Sequence, residues 1–151
     1  MGIIVEPGDP REPENRALIE AAQSTMRALF PPEENHFLTP EGLRAPDIRF
    51  FVAREYDTAL GCGALAQRQG YGEVKAMYVV PFARGQGVAR RILARLELEA
   101  RHLDLPCLRL ETGDTLAEAI ALYEAEGFVR CGPFGDYAAN ASSVFMEKPL
   151  D

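Results

Sequence analysis

The sequence predicts an α+β protein, α/β in the broader usage, with a mixed, mostly antiparallel sheet of about seven strands and about four helices. Strand-like segments joined by short turns in the first half predict antiparallel hairpins, and amphipathic helical segments between later strands predict crossovers. The chain of 151 residues is 47% hydrophobic and 26% charged, which suits one folded core. We therefore expect a single domain over residues 1–151.

The first elements are a strand, a helix and a short helix. Residues 2–6 have an apolar centre, which is typical of a strand. A helix is predicted over 13–30 by apolar residues near one helical face, and two prolines end it: Leu18, Ala22, Met26, Leu29, Pro31 and Pro32. Thr39 as N-cap with Pro40 after it predicts a short second helix.

The middle of the chain predicts three consecutive strands, over residues 48–54, 59–68 and 73–80. The connections between them are polar or glycine-containing and are short enough for hairpins. We expect these strands to pair antiparallel.

The last third alternates helices and strands. A helix over 87–102 is predicted by apolar residues at i, i+4, i+7 and i+11, namely Ala89, Leu93, Leu96 and Ala100. A strand over 107–111 precedes a helix ending at Glu126, for which Thr115 and Glu118 form a candidate capping box. Gly127 suits the helix end, and strands follow over 128–131 and 143–148.

Charge and cysteine content exclude several classes of function. A formal net charge of −7 disfavours nonspecific binding to nucleic acid, and the apolar runs are too short to span a membrane. Three cysteines without a C-x-x-C pair or signal peptide predict reduced thiols in the cytoplasm. Neither histidine has a partner at metal-ligand spacing, so no metal is expected. A homodimer is left open.

The segment VVPFARGQGVARR, residues 79–91, predicts an anion-binding loop. A helix N-terminus already carries unpaired N–H groups and the positive end of the helix dipole. Arg84, Arg90 and Arg91 would oppose that dipole unless an anion binds there. The loop therefore predicts a phosphate-bearing ligand.

Two phosphate-binding patterns fit this loop poorly. A dinucleotide site needs G-x-G-x-x-G, but Arg90 occupies the third glycine position. Glu111, at the end of the next predicted strand, keeps the dinucleotide alternative open. A Walker loop is excluded because no Gly-Lys-Ser/Thr occurs.

The hexapeptide 84–89 matches the R/Q-x-x-G-x-G/A pattern of the GNAT superfamily of N-acetyltransferases. Residues 73–79 resemble the fourth strand of that family, and 119–123 with Gly127 and Phe128 resemble its late helix and following strand. The resemblance covers most of residues 48–148 in the right order and implies the GNAT fold and an acetyl-CoA-dependent N-acetyltransferase. Leu116 stands where the family often has Asn, so a catalytically impaired CoA-binding module is the alternative.

The resemblance implies a binding site for acetyl-CoA. Backbone N–H groups of the loop would bind its pyrophosphate, and the fourth strand would end in a bulge near Val79 and Val80. Backbone groups freed there would bind the pantetheine arm, with the Val79 N–H near the thioester oxygen. The implied residues are Met77, Tyr78, Val79, Arg84, Gly85, Gln86, Gly87, Val88, Ala89 and Arg90.

The resemblance also implies two catalytic residues. Tyr123 would protonate the departing thiolate, and Glu73 would act as general base on an amine that attacks directly in a ternary complex. Substrate-binding candidates lie in two acceptor-side segments: Glu33, Glu34, His36 and Tyr137. Acidic side chains there would attract an ammonium group, so the expected acceptor is a small primary amine.

Overall fold

The computed structural model describes residues 2–150; Met1 and Asp151, the ends of the predicted domain, lie outside the described residues. Within that range the mixed, mostly antiparallel seven-stranded sheet is confirmed. The strands and α-helices are β1 (Ile4–Pro7), α1 (Pro13–Leu29), β2 (Ile48–Glu55), β3 (Thr58–Arg68), β4 (Tyr71–Val79), α2 (Val88–His102), β5 (Cys107–Gly113), α3 (Ala117–Ala125), β6 (Val129–Cys131) and β7 (Ser143–Pro149).

The strand order is β1-β2-β3-β4-β5-β7-β6. The predicted hairpins β2–β3 and β3–β4 form, and β4–β5 is the parallel pair of the sheet that residues 2–150 build. This pair is parallel because α2 carries the chain back across the sheet between the two strands.

Strands β4 and β5 pair only at their beginnings, Gly72 with Leu108 and Glu73 with Arg109. Beyond these pairs the two strands separate. A bulge lies in β4 at Ala76, whose φ is 58°, opposite a register shift between Cys62 and Ala64. The predicted bulge near Val79 and Val80 is therefore misplaced: the irregularity lies three positions earlier.

Glycines on β3 explain the position of this bulge. A Cβ on Gly61 would lie 2.5 Å from the Tyr78 carbonyl oxygen, and one on Gly63 would lie 2.6 Å from Ile92 Cγ2. Because these positions lack a Cβ, β4 can bend toward β3 and away from β5.

Helices cover both faces of the sheet. Leu18 and Ile19 of α1 pack in one buried cluster with Phe50, Val52 and Ala64. The other cluster contains the buried faces of α2 and α3. The predicted apolar face of α1 was too wide, since Leu29 is exposed and the buried positions are Asn15, Leu18, Ile19 and Gln23.

Two helix predictions were wrong in detail. The short helix after Thr39 is only a 3-10 turn, Gly42–Arg44, in which Thr39 Oγ1 accepts the Gly42 N–H at 3.0 Å. The residues described thus hold three α-helices rather than about four. The capping box of Thr115 and Glu118 does not form: the N-cap of α3 lies one residue later, at Leu116, whose N–H donates to the Gly113 carbonyl.

Candidate active site

A cavity of about 160 Å³ lies where β4 and β5 separate. Its walls come from α1, the segment after α1, β4, β5 and the start of α3. Five residues predicted from the sequence line it, namely His36, Glu73, Met77, Tyr123 and Tyr137. The structure thus brings residues from four distant parts of the chain to one place.

The glycine loop lies at the N-terminus of α2. Gly85 and Gly87 both have φ near 80°, and a Cβ at either position would meet nothing within 4 Å. These positions therefore need glycine for backbone conformation, while the space in front of them is open. Gly87 is the N-cap without a side-chain cap, and the first turn has no acidic residue. The arrangement fits an anion that supplies the missing acceptors.

The arginines around this loop have protein partners. Arg84 Nε donates to the Val79 carbonyl at 3.0 Å, and its guanidinium lies 5.6 Å from the Tyr78 ring centre. Arg90 pairs with Glu126 at 3.1 Å. Arg84 therefore ties the loop to the end of β4, whereas the charge of Arg90 is balanced by α3.

Backbone groups at the end of β4 face the gap. The Val80 N–H donates to the Leu60 carbonyl of β3 at 2.9 Å. Since successive residues of a strand point their backbone groups in opposite directions, the N–H and C=O of Val79 face away from β3. They point toward the space left by β5.

Tyr123 lines the cavity but is only 6% exposed. Its ring packs edge-on against Phe128 with centroids 5.6 Å apart. Burial raises the pKa of Tyr123 to about 12, because desolvation disfavours the phenolate. The phenol is therefore protonated throughout the physiological pH range.

Glu73 is 4% exposed and lies in a hydrogen-bonded cluster. Its Oε2 accepts from the Lys75 ammonium at 3.2 Å and from the Tyr137 hydroxyl, while Arg68 Nε lies 3.6 Å from Oε1. Lys75 also donates to the Tyr137 oxygen at 2.9 Å. Burial and the hydrogen bond to Glu73 raise the pKa of Tyr137 well above its ordinary value.

The other acidic candidates lie elsewhere. Glu33 is exposed, Glu34 accepts a hydrogen bond from Ser142, and neither lines the cavity. The carboxylates that do line it are Glu73 and Glu111. From the sequence, Glu111 was considered only in the dinucleotide alternative; its place at the end of a predicted strand was the available signal.

His36 and Glu111 form a pair on the wall of the cavity. His36 Nδ1 lies 3.4 Å from Glu111 Oε2, and the imidazole packs edge-on against Tyr137 with centroids 5.1 Å apart. Glu111 Oε2 also accepts from the Ser143 hydroxyl at 2.7 Å. Lys75, Leu116 and Gln23 also line the cavity, and sequence reasoning did not place them there.

The described residues form neither a metal-binding cluster nor a membrane-spanning helix. No group of three or more His, Cys, Asp or Glu side chains in residues 2–150 is placed to hold a metal ion. Over the same residues, every helix is too short or too polar to cross a membrane.

Known proteins resemble this chain in sequence and in fold. Residues 15–128 match the model of the acetyltransferase (GNAT) family. An IAA acetyltransferase of Azospirillum brasilense is 51% identical over 135 residues, which are 88% of each chain. A proposed acyl-CoA N-acyltransferase of Klebsiella pneumoniae has a solved structure with 35% identity and a TM-score of 0.82, covering 99% of this chain and 98% of its own. The PaiA N-acetyltransferase of Thermoplasma acidophilum, solved with coenzyme A, shares the fold at 18% identity and a TM-score of 0.74, covering 99% of this chain and 100% of its own.

Proposed function

The chain belongs to the GNAT family of acetyltransferases, and we propose that it transfers an acetyl group from acetyl-CoA to a small primary amine by direct attack in a ternary complex. The observation that carries this proposal is the cavity between the separated strands β4 and β5. It is lined by carboxylates and a buried tyrosine, and β4, which forms one of its walls, leads into the loop before α2. Its volume of about 160 Å³ suits a small acceptor.

The loop supports the binding of acetyl-CoA. Backbone N–H groups of residues 85–89 would hold the pyrophosphate, because the left-handed Gly85 and Gly87 leave open space before uncapped amides. Arg84 donates a hydrogen bond to the Val79 carbonyl. This bond fixes the position of the loop relative to the end of β4. The PaiA neighbour, which binds coenzyme A, supports the fold on which such a site depends.

Two groups suit the chemistry of a thioester donor. Acetyl-CoA supplies an activated acyl carbon and a thiol leaving group. The Val79 N–H, which faces the gap, is suited to donate a hydrogen bond to the thioester oxygen. Tyr123, which stays protonated because of its raised pKa of about 12, is suited to deliver a proton to the departing sulfur.

The acceptor must lose a proton before it attacks. A primary ammonium has an ordinary pKa near 10.4, so its deprotonation at neutral pH costs about 4 to 5 kcal/mol. The carboxylates of Glu73 and Glu111 line the cavity and would attract the ammonium. Glu73 is the general base that the family pattern implies, and its carboxylate also contacts Lys75 and Tyr137.

A CoA-binding protein without catalysis is the second candidate. Leu116 lines the cavity at the N-cap of α3, where it offers no polar side chain. The family's usual Asn at that position would offer an amide. This substitution is the observation that favours the alternative.

A thiol-release assay with acetyl-CoA tests the proposal. Amino acids, polyamines, aminoglycosides and short peptides are supplied as acceptors, and acetyl-CoA binding is measured separately by calorimetry. We expect turnover with small amines. Turnover restricted to peptides would reject the small-amine acceptor, and tight acetyl-CoA binding without turnover of any amine would favour the CoA-binding alternative.

A further inference from the structure

His36 is placed to receive a proton inside the cavity. Its side chain is 30% exposed, its Nδ1 lies 3.4 Å from Glu111 Oε2, and the ring rests against Tyr137. With Nδ1 facing the carboxylate, Nε2 is the nitrogen left for a ligand. Imidazole is the side chain most often used for proton transfer near neutral pH.

Glu111 is held in place from the other side. Its side chain is 12% exposed, and Oε2 accepts from the Ser143 hydroxyl at 2.7 Å. Ser143 Oγ in turn accepts from Asn140 Nδ2 at 2.9 Å. A carboxylate fixed in this way keeps the proton on Nδ1 of a neutral imidazole and stabilises the imidazolium that forms after protonation.

Glu73 is less suited to accept the proton. Two cations, Lys75 and Arg68, lie within 3.6 Å of its carboxylate oxygens, and the Tyr137 hydroxyl occupies Oε2 as well. These donors already face the two oxygens that would have to accept the ammonium proton. The contacts of Glu73 instead hold Lys75 and Tyr137 against the wall that the imidazole rests on.

We propose that His36 Nε2, oriented by Glu111, is the general base that deprotonates the acceptor ammonium. This inference rests on the proposed function. One N–H bond of the ammonium breaks and an Nε2–H bond forms; the free amine then forms the C–N bond as the C–S bond breaks. Tyr123 gives its hydroxyl proton to the departing thiolate, the second amine proton passes through solvent to restore that hydroxyl, and the proton on His36 passes to water. The charged or titratable groups that face His36 or share its cavity are Glu111, Tyr137, Glu73, Lys75 and Tyr123.

Comparing two nucleophiles of similar size distinguishes a general base from a residue that is needed only for structure. Methylamine is an ammonium ion at pH 7, whereas hydroxylamine is largely uncharged there and needs no prior deprotonation. For His36→Gln, kcat/KM for methylamine should fall about 10²-fold, the usual contribution of a general base. The value for hydroxylamine should fall less than about threefold, because only the deprotonation step is impaired. The KM for acetyl-CoA should stay unchanged.

Four further variants complete the comparison. Glu111→Gln should give the same amine-selective loss to a smaller extent, because Glu111 acts through His36 as a positioning residue. Glu73→Gln should lower both rates equally, and His102→Gln, which changes the exposed histidine at the end of α2, should change neither. In His36→Ala, added free imidazole should restore turnover of methylamine but not alter that of hydroxylamine.

Each result decides a separate point. Equal losses for both nucleophiles in His36→Gln, or an amine-selective loss confined to Glu73→Gln, would overturn the assignment of His36 while leaving the proposed function intact. Wild-type protein that binds acetyl-CoA yet accelerates acetyl transfer to neither nucleophile would overturn the proposed function itself, and the inference with it.

Discussion

At the residue scale, burial decides what Tyr123 can contribute. The side chain is 6% exposed, and desolvation raises its pKa to about 12. A raised pKa makes the phenol a weaker acid, so it can protonate a thiolate only at short range. The same shift keeps the proton on the hydroxyl, and the group is therefore in its donating form at every pH below about 12.

Replacing Tyr123 with Phe removes this proton with little change in volume. We expect kcat to fall by roughly 10- to 1000-fold while acetyl-CoA affinity stays nearly unchanged, because proton donation matters in the transition state. The ratio of the wild-type to variant kcat should be constant from pH 6 to 10, since Tyr123 does not titrate there.

Steady-state kinetics and calorimetry measure the two quantities. Tyr71→Phe is the matched control, because Tyr71 is also buried, at 8% exposure, but lies outside the cavity. If the Tyr123→Phe variant turns over as fast as wild type, Tyr123 contributes to packing and not to proton donation.

At the scale of the elements, the loop before α2 depends on two glycines in the left-handed region. Gly87 has a φ of 80° and open space around its Cβ position. Its replacement would thus strain the backbone and place a side chain where the pyrophosphate is proposed to bind.

Gly87→Glu should abolish acetyl-CoA binding, because the added carboxylate repels the phosphates. Calorimetry measures the affinity. Gly70→Glu is the control: Gly70, in the β3–β4 turn, has a φ of 87° and an equally open Cβ position, so it carries a similar backbone strain. If a folded Gly87→Glu protein keeps its affinity for acetyl-CoA, the phosphates must bind elsewhere.

The separation of β4 from β5 depends on Gly61. A Cβ at this position would lie 2.5 Å from the backbone oxygen of Tyr78, and a strand backbone cannot yield as a side chain does. Gly61→Ala should therefore lower the free energy of unfolding by about 1 to 3 kcal/mol and weaken acetyl-CoA binding by moving the end of β4.

Urea unfolding and calorimetry test both effects. Gly132→Ala serves as the control, because a Cβ at Gly132 would meet nothing within 4 Å. This substitution should change the free energy of unfolding by no more than about 0.5 kcal/mol. A Gly61→Ala protein as stable as wild type would show that the bulge at Ala76 does not depend on this clearance.

At the scale of the whole molecule, ligand binding should stabilise the fold. The proposed site is formed by β4, α2 and α3 together, so acetyl-CoA would bind the folded state and not the unfolded state. At 100 times its Kd, acetyl-CoA should add about 2.7 kcal/mol, which raises the Tm of a chain of this size by about 5 to 10 °C.

Differential scanning fluorimetry with acetyl-CoA, CoA and NAD measures this shift. Both CoA compounds should raise the Tm, and NAD should leave it unchanged because the loop lacks the third glycine of a dinucleotide site. Stabilisation by NAD alone would contradict the assignment of the loop to CoA.

The sequence alone determined most of the elements and the loop. The periodicities of α2 and of β2 to β4 are properties of neighbouring residues, and so is the run from Arg84 to Ala89. Short-range rules therefore apply to them directly. Two local predictions were misplaced. At Thr115, the bond from the Leu116 N–H to the Gly113 carbonyl shifts the helix start. After Thr39 the predicted cap bond forms, but the Ala45 N–H binds the Gly42 carbonyl and closes a 3-10 turn.

Only the tertiary structure decided which side chains meet in the cavity. Tyr137 reaches Glu73 from 64 positions away along the chain, and His36, from the segment after α1, meets Glu111 of β5. The bulge at Ala76 likewise depends on glycines of β3 and on Ile92 of α2. Such contacts follow from packing between elements, which no local pattern encodes. For this reason Glu73, predicted as a base, lies between two cations. For the same reason His36, predicted to bind the acceptor, lies against a carboxylate.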